Sequence, residues 1–233
     1  MFNIKLVGIT LAIDSKYKYL ERLCHDYITA ENAEKVISAT EDEIDAENIA
    51  NETFSKGYLE SLAIFRKLCD YLIDYNILLF HCSAVELDGR AYLFTAPSGT
   101  GKSTHTGLWK KRFGDRLTVI NDDKPFLKFE NDEIFVYGTP YAGKHNIQTN
   151  THAKVEGVVY LHQSRVNNIT RLTQGEAFKL LFLQTYRNRM SMDKTSKSIN
   201  LVTKLCKIPV FKLDCDISDD AVNLAYNSLI GEK

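Results

Sequence analysis

Eight consecutive residues, Ala96-Pro-Ser-Gly-Thr-Gly-Lys-Ser103, carry the clearest chemistry in this chain. A glycine-bearing turn lets successive backbone N–H groups point to one place, and a helix starting near Lys102 adds its positive N-terminal end; together they make a seat for phosphate oxygens. In such a loop Ser98, Gly99, Thr100, Gly101, Lys102, Ser103 and Thr104 surround the nucleotide phosphates. Lys102 then reaches the β and γ phosphates, and the Ser103 hydroxyl suits a bridging Mg²⁺. Ala96 stands where the pattern usually begins with glycine. The competing reading, a Gly/Ser surface turn ahead of a lysine, does not need a strand before it and a helix after it, and both are predicted here.

Asp122-Asp123 closes the next predicted strand. In phosphoryl transfer one carboxylate holds the metal and another accepts the proton of the attacking hydroxyl; without a phosphate loop upstream such a pair reads as a solvated turn. Gly138-Thr-Pro-Tyr-Ala-Gly-Lys-His145 is a second glycine-bearing segment. Lys144 and His145 there could read anionic groups of nucleotide or acceptor, and an ordinary turn between strands is the alternative. Arg187 and Arg189 lie past a predicted helix end, as an anion clamp or as plain solvated arginines. Trp109, on the helix after the loop, reads as core in preference to a base-stacking platform.

Particular elements must hold these residues. Two apolar runs, 77–87 and 90–96, flank Asp88-Gly89, the strongest short hairpin signal, and the second run leads into the loop. The spacing predicts a helix over 102–113 ended by Gly114. Strands are predicted over 117–121, 125–129, 133–137, 155–161, 169–172 and 210–213, with helices over 174–184, 196–206 and 219–230. Upstream, 2–13 reads as a strand or tight hairpin, 16–28 and 57–75 as helices, and 35–39 as a short strand. The acidic run 41–47 reads as a solvated face or linker. The expected organisation is a small α/β segment over 1–76 and a nucleotide-binding domain over 77–233.

Composition narrows the function classes. The chain has 233 residues, 44% hydrophobic and 25% charged, near the globular average, so disordered and repeat classes are excluded. Residues 1–77 hold 8 Lys/Arg against 14 Asp/Glu, and the remainder 21 against 16. The second part is thus mildly basic, which suits an anionic ligand, but it lacks the dense basic stripe of a nucleic-acid binder. Five cysteines without C-x-x-C spacing point to a reducing cytoplasm, and no apolar run approaches a membrane span. The opening residues alternate like a strand and do not resemble a signal peptide.

Three strings in order, Phe80-His-Cys-Ser-Ala84, Ala96 to Thr104 and Asn121-Asp-Asp123, resemble the nucleotide site shared by HPr kinase/phosphorylase and ATP-dependent phosphoenolpyruvate carboxykinase. The resemblance covers about residues 78–145. It implies an α/β fold with a β-rich phosphoenolpyruvate carboxykinase/HPr kinase-like P-loop core, with ATP and Mg²⁺ as cofactors. It also gives His81 a catalytic role or a second divalent metal, Asp122 the part of general base and Asp123 that of metal-binding carboxylate. Two departures stand out: the Glu-x-x-Gly segment of HPr kinases has no counterpart in 137–146, and the chain is too short for a carboxykinase's second half. The expected activity is transfer of the γ-phosphoryl group to a hydroxyl of a small molecule, peptide or protein. The alternatives are a carboxykinase-like enzyme and a nucleotide-binding regulatory protein with little turnover. Neither nucleic acid nor membrane is an expected partner; the oligomeric state is left open.

Overall fold

Alternating apolar residues at the start of the chain pair as a hairpin. In the computed structural model, which describes residues 1–49, 53–188 and 191–231, β1 (Phe2–Leu6) and β2 (Ile9–Asp14) run antiparallel. The described residues divide into two compact units, Met1–Tyr75 and Asn76–Lys233. In the first, α1 (Lys18–Leu23) precedes β3 (Lys35–Ser38), which pairs parallel to β2. The acidic run is itself a helix, α2 (Glu41–Ala46), because Thr40 and Glu43 form a reciprocal capping box. Its carboxylates stay largely in solvent and only Ile44 is buried. The long α3 (Lys56–Leu72) packs on α1, α2 and β3 and buries Leu59, Ala63, Ile64 and Leu68 among others.

The second unit is a mixed α/β structure built on nine strands among the described residues. β4 (Ile77–Leu79) is followed by β5 (Cys82–Leu87) and β6 (Arg90–Thr95), which form the expected hairpin; Asp88 and Gly89 take φ of 53° and 80° at its turn. Then come α4 (Lys102–Phe113), β7 (Leu117–Asn121), β8 (Phe126–Glu130) and β9 (Glu133–Tyr137). The long β10 (His152–Gln163), β11 (Asn168–Arg171), α5 (Gln174–Leu181), α6 (Met192–Leu205), β12 (Val210–Cys215) and α7 (Asp219–Ile230) complete it.

The sheet order is β4-β8-β9-β10-β6-β5-β7, with β12 also on β10 and β11 on β12. β10 holds three neighbours by dividing one edge: His152 to Lys154 pair with β9, and Val158 to Gln163 with β12. β6, β10 and β12 are parallel to each other, and β7, antiparallel to the antiparallel partner of β6, points the same way. Four strands therefore end at one edge of the sheet, where ligands of α/β sheets characteristically bind. β6 and β7 run into the phosphate loop and the Asp pair, β10 ends on Gln163, and β12 runs into Asp216-Ile217.

α4 and α7 lie on this part of the sheet over a core that contains Phe94, Trp109, Val159, Leu213, Val222 and Ala225. Trp109 is fully buried, with its ring 5.0 Å from Phe94. Burial of this kind is worth about 3–5 kcal/mol per large aromatic and fixes the helix that follows the loop. Among the described residues no helix is long and apolar enough to cross a membrane, and all five cysteines are free thiols.

Candidate functional site

The turn between β6 and α4 depends on two glycines. Gly99 and Gly101 take φ of 82° and 108°, where a side chain would be strained, and Gly101 is the residue from which α4 starts. Within the turn the Thr100 N–H and hydroxyl both bond the Pro97 carbonyl, at 3.3 and 2.9 Å. The Lys102 ammonium folds back to donate to the Ala96 carbonyl at 3.0 Å. Lys102 is buried, and burial holds its ammonium below the ordinary lysine value despite the nearby Asp123 and Asp122 carboxylates.

Asp122 and Asp123 leave β7 in opposite company. Asp122 is 6% exposed, and its Oδ1 accepts a hydrogen bond from the buried Ser83 hydroxyl at 2.5 Å. Asp123 is half-buried between His81 and Lys124: His81 Nε2 lies 3.2 Å from Oδ1 and Lys124 Nζ 3.1 Å from Oδ2. Burial pushes the Asp123 carboxyl up, but the bonds from His81 and Lys124 outweigh it and hold the group below the usual carboxylate range. The His81 ring is itself fixed by Gln184, whose Oε1 sits 3.2 Å from Nδ1, while the Gln184 carbonyl accepts the His81 N–H at 2.7 Å.

The bend that separates the two carboxylates is made by Asn121. Its Oδ1 accepts the N–H groups of Asp123 and Lys124 at 2.9 and 2.7 Å, and its Nδ2 donates to the Thr139 carbonyl at 3.0 Å. That last bond ties the Asp pair to the segment after β9, which returns alongside β7 through Asp122 N–H to Ile147 carbonyl and Thr149 N–H to Ile120 carbonyl. Gly143, at φ 70°, closes against Asp123: a Cβ there would lie 3.0 Å from the Asp123 Cβ, so a side chain would be strained and would press on Asp123.

These elements enclose a cavity of about 430 Å³. His81, Ser98, Gly99, Gly101, Lys102, Ser103, Thr104, Asp122, Asp123, Lys144 and His145 all line it, so most of the candidate residues meet in one place. Lys144 and His145 are exposed on its rim. Thr100 does not line it and faces a smaller recess beside the loop. Arg187 is elsewhere: its guanidinium donates to the Phe182 carbonyl at 2.7 Å and stacks on the Phe182 ring, closing the turn after α5. Arg189 lies outside the described residues. Ser83, Asn121, Thr139, Gly143 and Gln184 belong to the site as supports without having been singled out in the sequence. Ser83 lies within the His81-Cys-Ser-Ala string and Asn121 directly precedes the Asp pair, so those two carried a local signal.

No protein-family model matches the chain, and no curated protein matches it. Among solved structures, the chain is similar to the HPr(Ser) kinase/phosphatase from Coxiella burnetii, at 14% identity and a TM-score of 0.37, over 64% of this chain and 94% of that one.

Proposed function

We propose that the chain is an ATP-dependent kinase that transfers the γ-phosphoryl group to a hydroxyl of a small molecule, peptide or protein. The observation that carries this reading is the single cavity onto which Lys102 and Ser103 of the phosphate loop open together with Asp122, Asp123 and His81. Phosphoryl transfer asks a protein mainly for positioning and for charge placed around the moving group. Lys102 supplies the positive charge. Asp122, with Oδ1 engaged by Ser83, keeps acceptor capacity for the hydroxyl proton of the acceptor. Lys144 and His145 are the groups proposed to meet anionic parts of the substrates, whereas Arg187 would first have to release the Phe182 carbonyl.

The donor set fits Mg²⁺. The Ser103 hydroxyl and the Asp123 carboxylate are hard oxygens, and no cluster of three His, Cys, Asp or Glu occurs among the described residues. Magnesium is commonly held by one or two protein oxygens, with phosphates and water completing its shell. Bound there it would neutralise charge on the β and γ phosphates. A second divalent ion beside His81 would have to replace the direct His81–Asp123 contact. The phosphoenolpyruvate carboxykinase/HPr kinase-like core is part of the same proposal. It is supported by a phosphate-loop strand entered from an antiparallel hairpin, where a doubly wound sheet would enter from a βαβ unit.

Asp122→Asn tests the reading. Calorimetric affinity for ATP and Mg²⁺ should stay within about twofold of wild type, while turnover with hydroxyl acceptors falls by about 10²–10⁴-fold. Wild-type turnover in that variant would remove Asp122 as the base.

A further inference from the structure

Phe80 and His81 lie between the ends of β4 and β5, and a segment 103 residues downstream of His81 supplies backbone partners there. Thr185 forms an antiparallel bridge with Phe80, the Gln184 carbonyl accepts the His81 N–H at 2.7 Å, and the Tyr186 N–H donates to the Leu79 carbonyl at 3.2 Å. The His81 carbonyl accepts the Thr95 hydroxyl at 2.7 Å. The main chain of His81 is thus set by groups that any side chain at position 184 would leave in place.

The ring is held by different atoms. Gln184 Oε1 lies 3.2 Å from Nδ1, and Asp123 Oδ1 lies 3.2 Å from Nε2. Both oxygens only accept, whereas a neutral imidazole has one N–H and one bare nitrogen, so the two compete for a single proton. They differ in what else they can do. Asp123 already shares Oδ2 with Lys124 at 3.1 Å and lines the cavity with Ser103, where a cation between the two would draw it away from the ring. Gln184 is 9% exposed, and the His81 ring is the hydrogen-bond partner of its amide oxygen among the described residues. Gln184 is therefore the partner that stays. A ring pinned through Nδ1–H keeps Nε2 on the cavity side as an acceptor, the form of histidine that receives a proton or a cation.

We propose that Gln184 is a positioning residue for the transfer step: its amide oxygen keeps the His81 proton on Nδ1 and so keeps the Nε2 lone pair directed at the cavity once Asp123 is engaged elsewhere. The inference rests on the kinase reading above, which supplies the cation and the step. A reversed amide, with its N–H₂ toward a bare Nδ1, would put the proton on Nε2 and close that lone pair to the cavity, so the two orientations give opposite spectra and opposite variants.

The experiment records the histidine ring nitrogens of the full chain by long-range ¹H–¹⁵N NMR with Mg²⁺ and β,γ-imido-ATP, at a pH well above the ordinary histidine range. His81 is assigned by the loss of its signals in His81→Gln. Wild type should show Nδ1 protonated and Nε2 bare; Gln184→Met, which keeps the length and the backbone contacts, should lose that single tautomer. The same variant should lower kcat about 10–100-fold with the KM for ATP unchanged, and Gln184→Glu, which keeps an acceptor oxygen, should recover at least about tenfold of the loss. A packing role gives the reverse order, because an apolar side chain suits a buried position better than a carboxylate does. A bare Nδ1 in wild type, or Gln184→Met as active as Gln184→Glu or more so, would overturn the proposal. A protonated Nδ1 in a wild type without turnover on any hydroxyl acceptor would sink the kinase reading and leave the positioning of the ring standing. Failure to bind the analogue would overturn both.

Discussion

Glu60 in the first unit and Asp122 in the second are both buried carboxylates, 0% and 6% exposed, and they are employed differently. Glu60 accepts the backbone N–H of Lys16 through Oε1 at 2.7 Å and of Tyr17 through Oε2 at 3.2 Å, where the chain turns into α1. Both oxygens are committed to main-chain donors that would otherwise lack partners at a helix start. Asp122 has Oδ1 on the Ser83 hydroxyl and lines a cavity that also receives Lys102. The lesson concerns capacity: a buried charge whose bonding is completed by backbone holds the fold, and one left with bonding capacity over a cavity is available to a ligand.

The strongest attempt to break that contrast is Lys102→Ala. If Lys102 belongs with Asp122, the variant should melt near wild type but lose about 10³-fold in turnover, with ATP affinity falling as well. A variant that loses stability alone would place Lys102 with Glu60, as a structural charge committed to the Ala96 carbonyl.

His105 sharpens the contrast, since it is buried in the second unit but belongs with Glu60 in having its acceptor nitrogen committed, to Trp109. Its folded value of about 4 lies below the ordinary 6.5. The stabilisation from keeping it neutral is therefore fully present above about pH 6.5 and is lost as pH falls toward 4, because the unfolded ring takes up a proton first. Denaturant unfolding at pH 7 and pH 4.5 should show wild type losing on the order of 2–3 kcal/mol more than His105→Gln. Equal losses in the two proteins would mean that the ring titrates normally in the fold.

The smallest effect is expected from Glu60→Ala, which leaves two backbone donors in the first unit without their partner. A loss of about 2 kcal/mol in denaturant unfolding is expected, with turnover per folded molecule unchanged. A change in turnover at constant stability would erase the distinction from which the comparison starts.

Much of the second unit was legible in the sequence. Asp88-Gly89 and Gly114 marked a turn and a helix end that the structure contains, with φ of 53° and 80° at Asp88 and Gly89. The acidic stretch after Thr40 was harder. Its charges suggested a solvated face or linker, whereas the structure makes it a helix through the Thr40-x-x-Glu43 cap. Arg187, past a predicted helix end, was open to two readings, an anion clamp or a solvated arginine. The structure places it on the Phe182 carbonyl and ring, a contact three-dimensional in origin although the residues are close in sequence.

The amino-acid order by itself determined the local devices: the glycine turn ahead of Lys102, the hairpins, the helix caps and the Asp pair at a strand end. Each depends on residues within a few positions of one another, where side-chain spacing and backbone freedom decide the geometry. Only the tertiary structure decided who meets whom. Gln184 reaches His81 across 103 residues, Ser83 reaches Asp122 across 39, and Gly143 closes on Asp123, because sheet order and strand direction bring four strand ends to one edge. Strand order is set by burial of whole faces, a sum over many distant residues, and no short motif encodes it. The same ordering put a charged cavity on one side of the phosphate loop and an apolar recess on the other.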